Sequence, residues 1–235
     1  MKTARATQTE DQRERLNKLY RYQRHFYDVT RRFFLFGRDE LLRQMSVREG
    51  ESVLEVGCGT GRNLLRLARL QPNAKLYGLD AADEMLKTAG AKLDARDLQK
   101  QIVLRRGLAE EFSYQETFGS SEPFDKIFIS YSLSMFPKWR EALRNALCNL
   151  KADGDLYVVD FWDGAGLPGW FNRLLRRWLA LFKVHARPEF LEFFVELAAA
   201  GEGKLDVSAV NRRYAFVAHF QKSSATARNQ KVVFL

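Results

Sequence analysis

Residues 52–65 read SVLEVGCGTGRNLL, which joins a short apolar strand to a glycine-rich turn and the start of an amphipathic helix. Three glycines, Gly57, Gly59 and Gly61, allow the turn to adopt positive φ and to approach a ligand closely, because no Cβ stands in the way. The strand carries an acid, Glu55, just before the turn. This arrangement predicts a nucleotide-type cofactor pocket at the carboxyl end of the strand.

The spacing of the glycines distinguishes two kinds of cofactor. A dinucleotide site follows Gly-x-Gly-x-x-Gly, with a helix N-terminus facing a pyrophosphate, whereas this turn follows Glu-x-Gly-x-Gly-x-Gly. A carboxylate at Glu55 disfavours a pyrophosphate and suits a ligand with a sulfonium and an ammonium group. A second apolar strand, residues 76–80, ends in Asp80, which is suited to accept both ribose hydroxyls. The segment resembles motif I of class I S-adenosylmethionine (SAM) dependent methyltransferases.

Composition and charge set the limits of the interpretation. The chain has 235 residues, enough for one α/β domain with additions, and a formal net charge of +9, which favours an anionic partner. Its two cysteines, Cys58 and Cys148, lack metal-ligand spacing, so free thiols and no metal are expected. Neither a secretory signal nor a run of about twenty apolar residues is visible. We therefore expect a cytoplasmic protein, peripheral on the inner face of the membrane.

Strand and helix patterns alternate as a parallel sheet with crossover helices requires. The predicted elements are a helix over 82–93, a strand over 101–105, a strand over 124–130, a helix over 137–150, a turn over 151–154, a strand over 154–161, and hairpin strands over 205–210 and 214–221. The predicted fold is α/β: a Rossmann-like seven-stranded class I methyltransferase sheet with helices on both faces and a C-terminal antiparallel hairpin. The predicted domains are an N-terminal helical cap over the cofactor (1–46) and a methyltransferase domain (47–235) with a basic amphipathic insertion at 164–187.

The cap is rich in arginine and aromatic residues from 10 to 36. Its aromatic side chains at helical spacing fit a helix that docks onto the core. They also fit a cover over the cofactor, with Tyr27 and Arg38 near the methionine end. The two interpretations are compatible.

The insertion has an apolar face and a basic face. Pro168 is suited to a helix start. The apolar face comprises Leu167, Trp170, Phe171, Leu174, Leu175, Trp178, Leu181 and Phe182, and the basic face comprises Arg173, Arg176, Arg177 and Lys183. No acid occurs between Asp163 and Glu189. This composition suits a helix in an anionic lipid interface, and packing against a core or partner explains the apolar face equally well.

A closer resemblance covers most of the chain. The segments that carry it are 27–31 (YDVTR), 37–39 (GRD), 55–64, 130–135 (SYSLSM), 159–162 (VDFW) and 167–171 (LPGWF). They are similar to bacterial betaine-lipid N-methyltransferases of the BtaB type. The resemblance implies three successive methyl transfers from SAM to the amine of diacylglyceryl-homoserine. It also implies an amino-headed lipid and an anionic membrane surface as partners, with the enzyme that forms the homoserine lipid as a further candidate. Quinone C-methyltransferases and phosphatidylethanolamine N-methyltransferases share the Tyr-Asp start and the glycine motif.

Candidate site residues follow from these patterns. The predicted cofactor-binding set is Tyr27, Arg38, Glu55, Gly57, Gly59, Gly61, Asp80, Ala81, Met85, Leu108, Ala109 and Ser130. Many class I enzymes have an acid after the third strand for the adenine amine, whereas this chain has Leu108, so a backbone amide or Glu110 must substitute.

Methyl transfer from SAM to an amine depends on positioning and on a neutral amine more than on a catalytic triad. We expect aromatic faces from Tyr27, Tyr131 or Trp162 to stabilise the growing methylammonium. We expect His185 with Arg187, or an arginine of the N-terminal segment, to bind the substrate carboxylate, although His185 equally suits a solvated helix end.

Competing functions belong to other classes. Amino-directed nucleic-acid methyltransferases usually carry an Asn/Asp-Pro-Pro-Tyr/Phe string after the fourth strand, and residues 130–133 read SYSL, so we expect no nucleic-acid partner. Quinone C-methylation stays open, because a quinone would also suit the apolar helix. A non-catalytic SAM-binding module is disfavoured by the intact glycine motif and Asp80.

Overall fold

The computed structural model describes residues 35–181 and 187–224. Its centre is a seven-stranded sheet with the order β3-β2-β1-β4-β5-β7-β6. The strands are β1 (Ser52–Val56), β2 (Lys75–Asp80), β3 (Ile102–Arg106), β4 (Phe124–Ser130), β5 (Leu150–Phe161), β6 (Gly203–Val210) and β7 (Ala215–Lys222). The first five strands pair in parallel, whereas β7 is antiparallel to both β5 and β6. The predicted mixed sheet with a C-terminal antiparallel hairpin is confirmed.

Helices cover both faces of this sheet. They are α1 (Arg38–Gln44), α2 (Arg62–Leu70), α3 (Asp83–Asp94), α4 (Trp139–Cys148), α5 (Gly169–Leu181) and α6 (Glu189–Ala199), with a 3₁₀ turn at Leu133–Met135. Helices α1, α2, α3 and α5 contribute to the core on one face, and α4 and α6 to the core on the other. No helix in the described ranges is both long and apolar enough to cross a bilayer.

The strand order of the sheet indicates where a ligand is expected to bind. Strand β1 lies between β2 and β4, so the chain order reverses direction there, and the carboxyl ends of β1 and β4 border a crevice. Alternation along β1 directs Leu54 and Val56 into one core layer, while Val53 enters the other. Open α/β sheets bind ligands at such a switch point.

The predicted turn before β5 was wrong. Residues 151–154, predicted to be a turn, belong to β5, which begins at Leu150. The pairing register with β4 shifts between Phe124 and Lys126, and Asp153 has a positive φ of 61°. A bulge of this kind lets a strand absorb turn-type residues without ending.

Helix α6 was not predicted. The helical spacing that identifies it is present in the sequence, since Phe190, Phe193, Phe194 and Leu197 all point into the core. The basic insertion at 164–187, which precedes it, indicated a membrane surface instead.

Helix α5 corrects the prediction of one continuous apolar face. Leu175 and Leu179 are buried at 8% and 5% exposure, and Phe171 and Trp178 pack against the same core. One part of the apolar surface of this helix therefore faces the protein, whereas Trp170 and Leu174 are exposed. The cap residues 1–34 and the insertion residues 182–186 lie outside the described residues.

Candidate active site

The glycine turn after β1 is tied to the end of β2. The backbone N–H groups of Gly57 and Cys58 both donate to the carbonyl oxygen of Leu79, at 2.8 and 2.9 Å. Gly57 has a φ of 76°, and a Cβ built there would lie 2.6 Å from Cβ of Ser132. Gly59 has a φ of 53°, yet a Cβ there would meet no described atom within 4 Å. Gly57 therefore permits close packing, whereas Gly59 borders open space.

Asp80 braces this turn from β2. One carboxylate oxygen accepts the backbone N–H of Gly59 at 2.8 Å, and the other accepts that of Ala82 at 2.9 Å. Each carboxylate oxygen has a second lone pair. The side chain can thus shape the glycine turn and still accept hydrogen bonds from a ribose.

Glu55 is a buried acid with one unpaired oxygen. It is 2% exposed, and its Oε1 accepts a hydrogen bond of 2.7 Å from the side chain of Asn63. Its Oε2 is buried with no hydrogen-bond partner. Burial raises the pKa of this carboxyl to about 8, although Asn63 and the charge of Arg38 oppose the rise. A buried, unpaired carboxylate oxygen is suited to pair with a cationic ligand group.

Two arginine side chains lie near Glu55 at the carboxyl end of β1. Arg38 begins α1, and its Nε donates to the carbonyl oxygen of Leu35 at 3.2 Å. Arg38 and Arg62 are both close enough to lower the pKa of Glu55. The site therefore combines a buried acid with nearby guanidinium groups, which suits the zwitterionic end of an amino acid.

The loop after β4 forms the opposite wall. Tyr131 is buried, has a φ of 55°, and donates its hydroxyl proton to the carbonyl oxygen of Phe36. Ser132 donates from its hydroxyl to the carbonyl of Val56 at 3.0 Å. Ser130 Oγ is buried without a hydrogen-bond partner. Positive φ at a bulky residue is strained and often accompanies a functional site.

Asp160, at the carboxyl end of β5, was missed as a site residue. It is 1% exposed, and its two oxygens accept the backbone N–H groups of Phe161 at 2.8 Å and Ser134 at 3.1 Å. It thereby fixes the 3₁₀ turn that follows Tyr131. The signal was the same as for Glu55 and Asp80, an acid at the end of an apolar strand.

The loop after β3 carries the residues that are predicted to contact adenine. Leu108 and Ala109 are buried there, and Asn145 donates to the carbonyl oxygen of Ala109 at 3.1 Å. Glu110 has a nearly buried side chain whose Oε1 accepts no hydrogen bond and lies 3.6 Å from Nζ of Lys138. Met85, on α3, is also buried.

The remaining candidates have mixed placements. Tyr27 and His185 lie outside the described residues. The ring of Tyr131 packs edge-on against Phe161 at 4.7 Å, and that of Trp162 is covered by the guanidinium of Arg213 at 4.5 Å. The turns that carry Glu55, Gly57, Gly59, Asp80 and Ser130 converge, so the described residues fit SAM.

Comparisons with known proteins agree with this geometry. Residues 48–201 match the family model described as a methyltransferase domain. A demethylmenaquinone methyltransferase of Listeria welshimeri is 27% identical over 197 residues, covering 80% of this chain and 77% of that protein. One from Bacillus mycoides is 29% identical over 153 residues, covering 63% of this chain and 62% of that protein.

Solved structures share the fold. A SAM-dependent methyltransferase from Aquifex aeolicus superposes with a TM-score of 0.59 at 21% identity, covering 82% of this chain and 93% of that one. The YcgJ protein of Bacillus subtilis gives 0.61 at 15% identity, covering 80% and 99%. With the family model covering most of the sheet and the glycine turn in place, the chain belongs to the class I SAM-dependent methyltransferases.

Proposed function

We propose that this enzyme methylates an acceptor carried by a membrane-resident, lipid-like molecule, and that the first candidate acceptor is the ring carbon of a demethylated quinol. The observation that carries this proposal is the similarity to demethylmenaquinone methyltransferases, which extends over 80% of the chain. The name of those relatives supplies the acceptor class.

One group of the described residues would bind the cofactor, and another would lie beside the acceptor. Bound SAM supplies an electrophilic methyl group on a sulfonium. We assign Glu55 and Arg38 to the ammonium and carboxylate of its methionine end, and Asp80 to its ribose. Tyr131 and Asp160 hold the loop after β4, which we place beside the acceptor. Positioning and exclusion of water then supply most of the rate enhancement.

A second candidate acceptor is the amine of diacylglyceryl-homoserine. The segments 130–135, 159–162 and 167–171, which carry the resemblance to betaine-lipid N-methyltransferases, all lie near the carboxyl ends of β4 and β5. The product would be the trimethylated betaine lipid.

One assay separates the candidates. The purified enzyme is given SAM and, in separate reactions, a demethylmenaquinol, diacylglyceryl-homoserine and phosphatidylethanolamine, each dispersed in the same detergent. Mass spectrometry then identifies the methylated product and counts the added methyl groups. A product from the quinol alone supports ring methylation. Turnover of the homoserine lipid alone replaces it with N-methylation, and turnover of neither rejects both acceptors.

A further inference from the structure

Helix α5 exposes a second surface away from the core. Trp170 and Leu174 are 70% and 59% exposed, and the arginines Arg173 and Arg177 beside them are exposed as well. These four residues occur at i, i+3, i+4 and i+7, so they form one stripe along the helix. We call this stripe the Trp/Arg strip.

The opposite side of α5 fixes where the strip lies. Leu175 and Leu179 belong to the core cluster that also contains Tyr131, Phe161 and Tyr214. Tyr131 and Phe161 stand at the carboxyl ends of β4 and β5. The side-chain amide of Asn172, on α5, donates to the carbonyl oxygens of Asp163 and Gly164 in the loop after β5, both at 3.2 Å. The first turn of α5 is therefore held beside the carboxyl edge of the sheet, which carries the candidate site and which we call the catalytic edge, and the strip on this helix is exposed.

The surroundings of the strip are basic. Helix α5 contains no acid from Gly169 to Leu181. The hairpin turn before β7 packs against the loop that leads into α5, since a Cβ built on Gly166 would lie 2.7 Å from the carbonyl oxygen of Arg212. Arg212 is exposed at this turn, and Asp163, whose carbonyl oxygen accepts from Asn172 of α5, pairs through its carboxylate with Arg213.

We propose that the Trp/Arg strip binds the headgroup layer of an anionic lipid bilayer and so holds the catalytic edge against the membrane. This inference rests on the proposed function in one respect: the strip would bring the enzyme to the membrane that contains the lipid-borne acceptor. Tryptophan is favoured at the depth of lipid headgroups, and arginine gains from the negative surface potential of anionic lipids. An exposed tryptophan and leucine that alternate with two arginines match that interface in both polarity and charge. A second copy of the protein that docked through the same strip would instead bring positive charge against positive charge.

Sedimentation with vesicles tests the proposal without any acceptor, so it stands apart from the test of the proposed function. The wild type should bind phosphatidylcholine vesicles that contain phosphatidylglycerol more tightly than vesicles of phosphatidylcholine alone, and added salt should weaken the difference. Arg173→Gln with Arg177→Gln should lower binding to the anionic vesicles about thirtyfold, since each arginine near such a surface contributes about fivefold. Trp170→Ala with Leu174→Ala should lower binding to both kinds of vesicle.

Matched controls use exposed residues elsewhere. Arg48→Gln with Arg69→Gln removes the same charge near the amino ends of the strands, and Leu70→Ala with Val195→Ala shortens two other exposed apolar side chains. Both control variants should bind vesicles like the wild type, and all variants should keep SAM affinity by calorimetry. The proposal is overturned if the strip variants bind anionic vesicles as the wild type does. It is also overturned if the strip substitutions convert a dimer to a monomer, because the strip would then cover a second copy.

Discussion

Tyr131 donates its hydroxyl proton to the carbonyl oxygen of Phe36, and this hydrogen bond joins the loop after β4 to the segment that leads into α1. Phe36 in turn packs edge-on against Tyr214 at 5.3 Å. Arg38, the predicted contact to the methionine end of SAM, follows two residues later. The bond therefore connects one wall of the site to a group that we assign to cofactor binding.

Tyr131→Phe should weaken SAM binding more than it slows the bound enzyme, because it releases the segment that carries Arg38. Loss of the hydrogen bond leaves a carbonyl oxygen unpaired and should lower the free energy of unfolding by about 1 to 2 kcal/mol. Steady-state kinetics should show a higher KM for SAM with kcat less affected. The control is Tyr157→Phe, on the same face of the sheet, whose hydroxyl lies 3.5 Å from the carbonyl oxygen of Gln44. Equal effects of the two substitutions would contradict a positioning role for Tyr131.

Glu55 should make stability depend on pH. Its folded pKa, about 8, lies above the ordinary value of 4.5, so the folded protein binds this proton more tightly than the unfolded chain. The contribution is full below pH 4.5 and is lost as the pH rises toward 8, by on the order of a few kcal/mol. Urea unfolding of Glu55→Gln should therefore show a flatter profile across this range. Glu116→Gln, at an exposed site, should follow the wild-type profile.

The same carboxyl should couple SAM binding to proton release. A cationic ligand group next to Oε2 of Glu55 favours the ionised form and lowers the pKa of the carboxyl. Calorimetry near pH 7 in two buffers of different ionisation enthalpy should show a proton released by the wild type and none by Glu55→Gln. Identical buffer dependence for both proteins would place the ligand cation elsewhere.

Asp80→Ala should weaken SAM binding by about 1.5 to 3 kcal/mol, the usual cost of losing charge-assisted hydrogen bonds. The substitution also leaves the backbone N–H groups of Gly59 and Ala82 without this acceptor, so the glycine turn should loosen. Calorimetry gives the affinity, and circular dichroism checks the fold. Unchanged affinity in a folded variant would remove Asp80 from the cofactor site.

Two glycines of the same turn should respond differently to alanine. Gly57→Ala combines positive φ with a close approach to Ser132 and should lower stability by about 1 to 3 kcal/mol. Gly59→Ala meets open space, so it should lower stability by only about 1 to 2 kcal/mol but intrude on the ligand. Thermal unfolding and SAM calorimetry together test this contrast. A Gly59→Ala variant with full SAM affinity would show that the ligand does not approach there.

The sequence was most informative where local pattern and function coincide. The apolar strands that end in Glu55 and Asp80 predicted both the sheet and the cofactor edge, because strand periodicity and site chemistry use the same residues. The division of α5 into a core-facing side and an exposed side was not predictable. The sequence pattern around Leu174 and Leu175 is the same whether an apolar residue faces a membrane or the core. Only the packing of Leu175 and Leu179 against the sheet decides between them. Asp160 was visible as an acid at a strand end, but its partner Ser134 is distant in sequence.

The strand order has a consequence for how the chain acquires its structure during synthesis. Strand β7, the last in the sheet, lies between β5 and β6, and β6 pairs with β7. When Val210 leaves the ribosome, β6 therefore exists without the neighbour that joins it to the sheet, and the edge of β5 is still open. An open, apolar strand edge is a site for aggregation. Completion of residues 215–222 closes that edge, so the nascent chain keeps an open strand edge until β7, the last strand of the described residues, emerges.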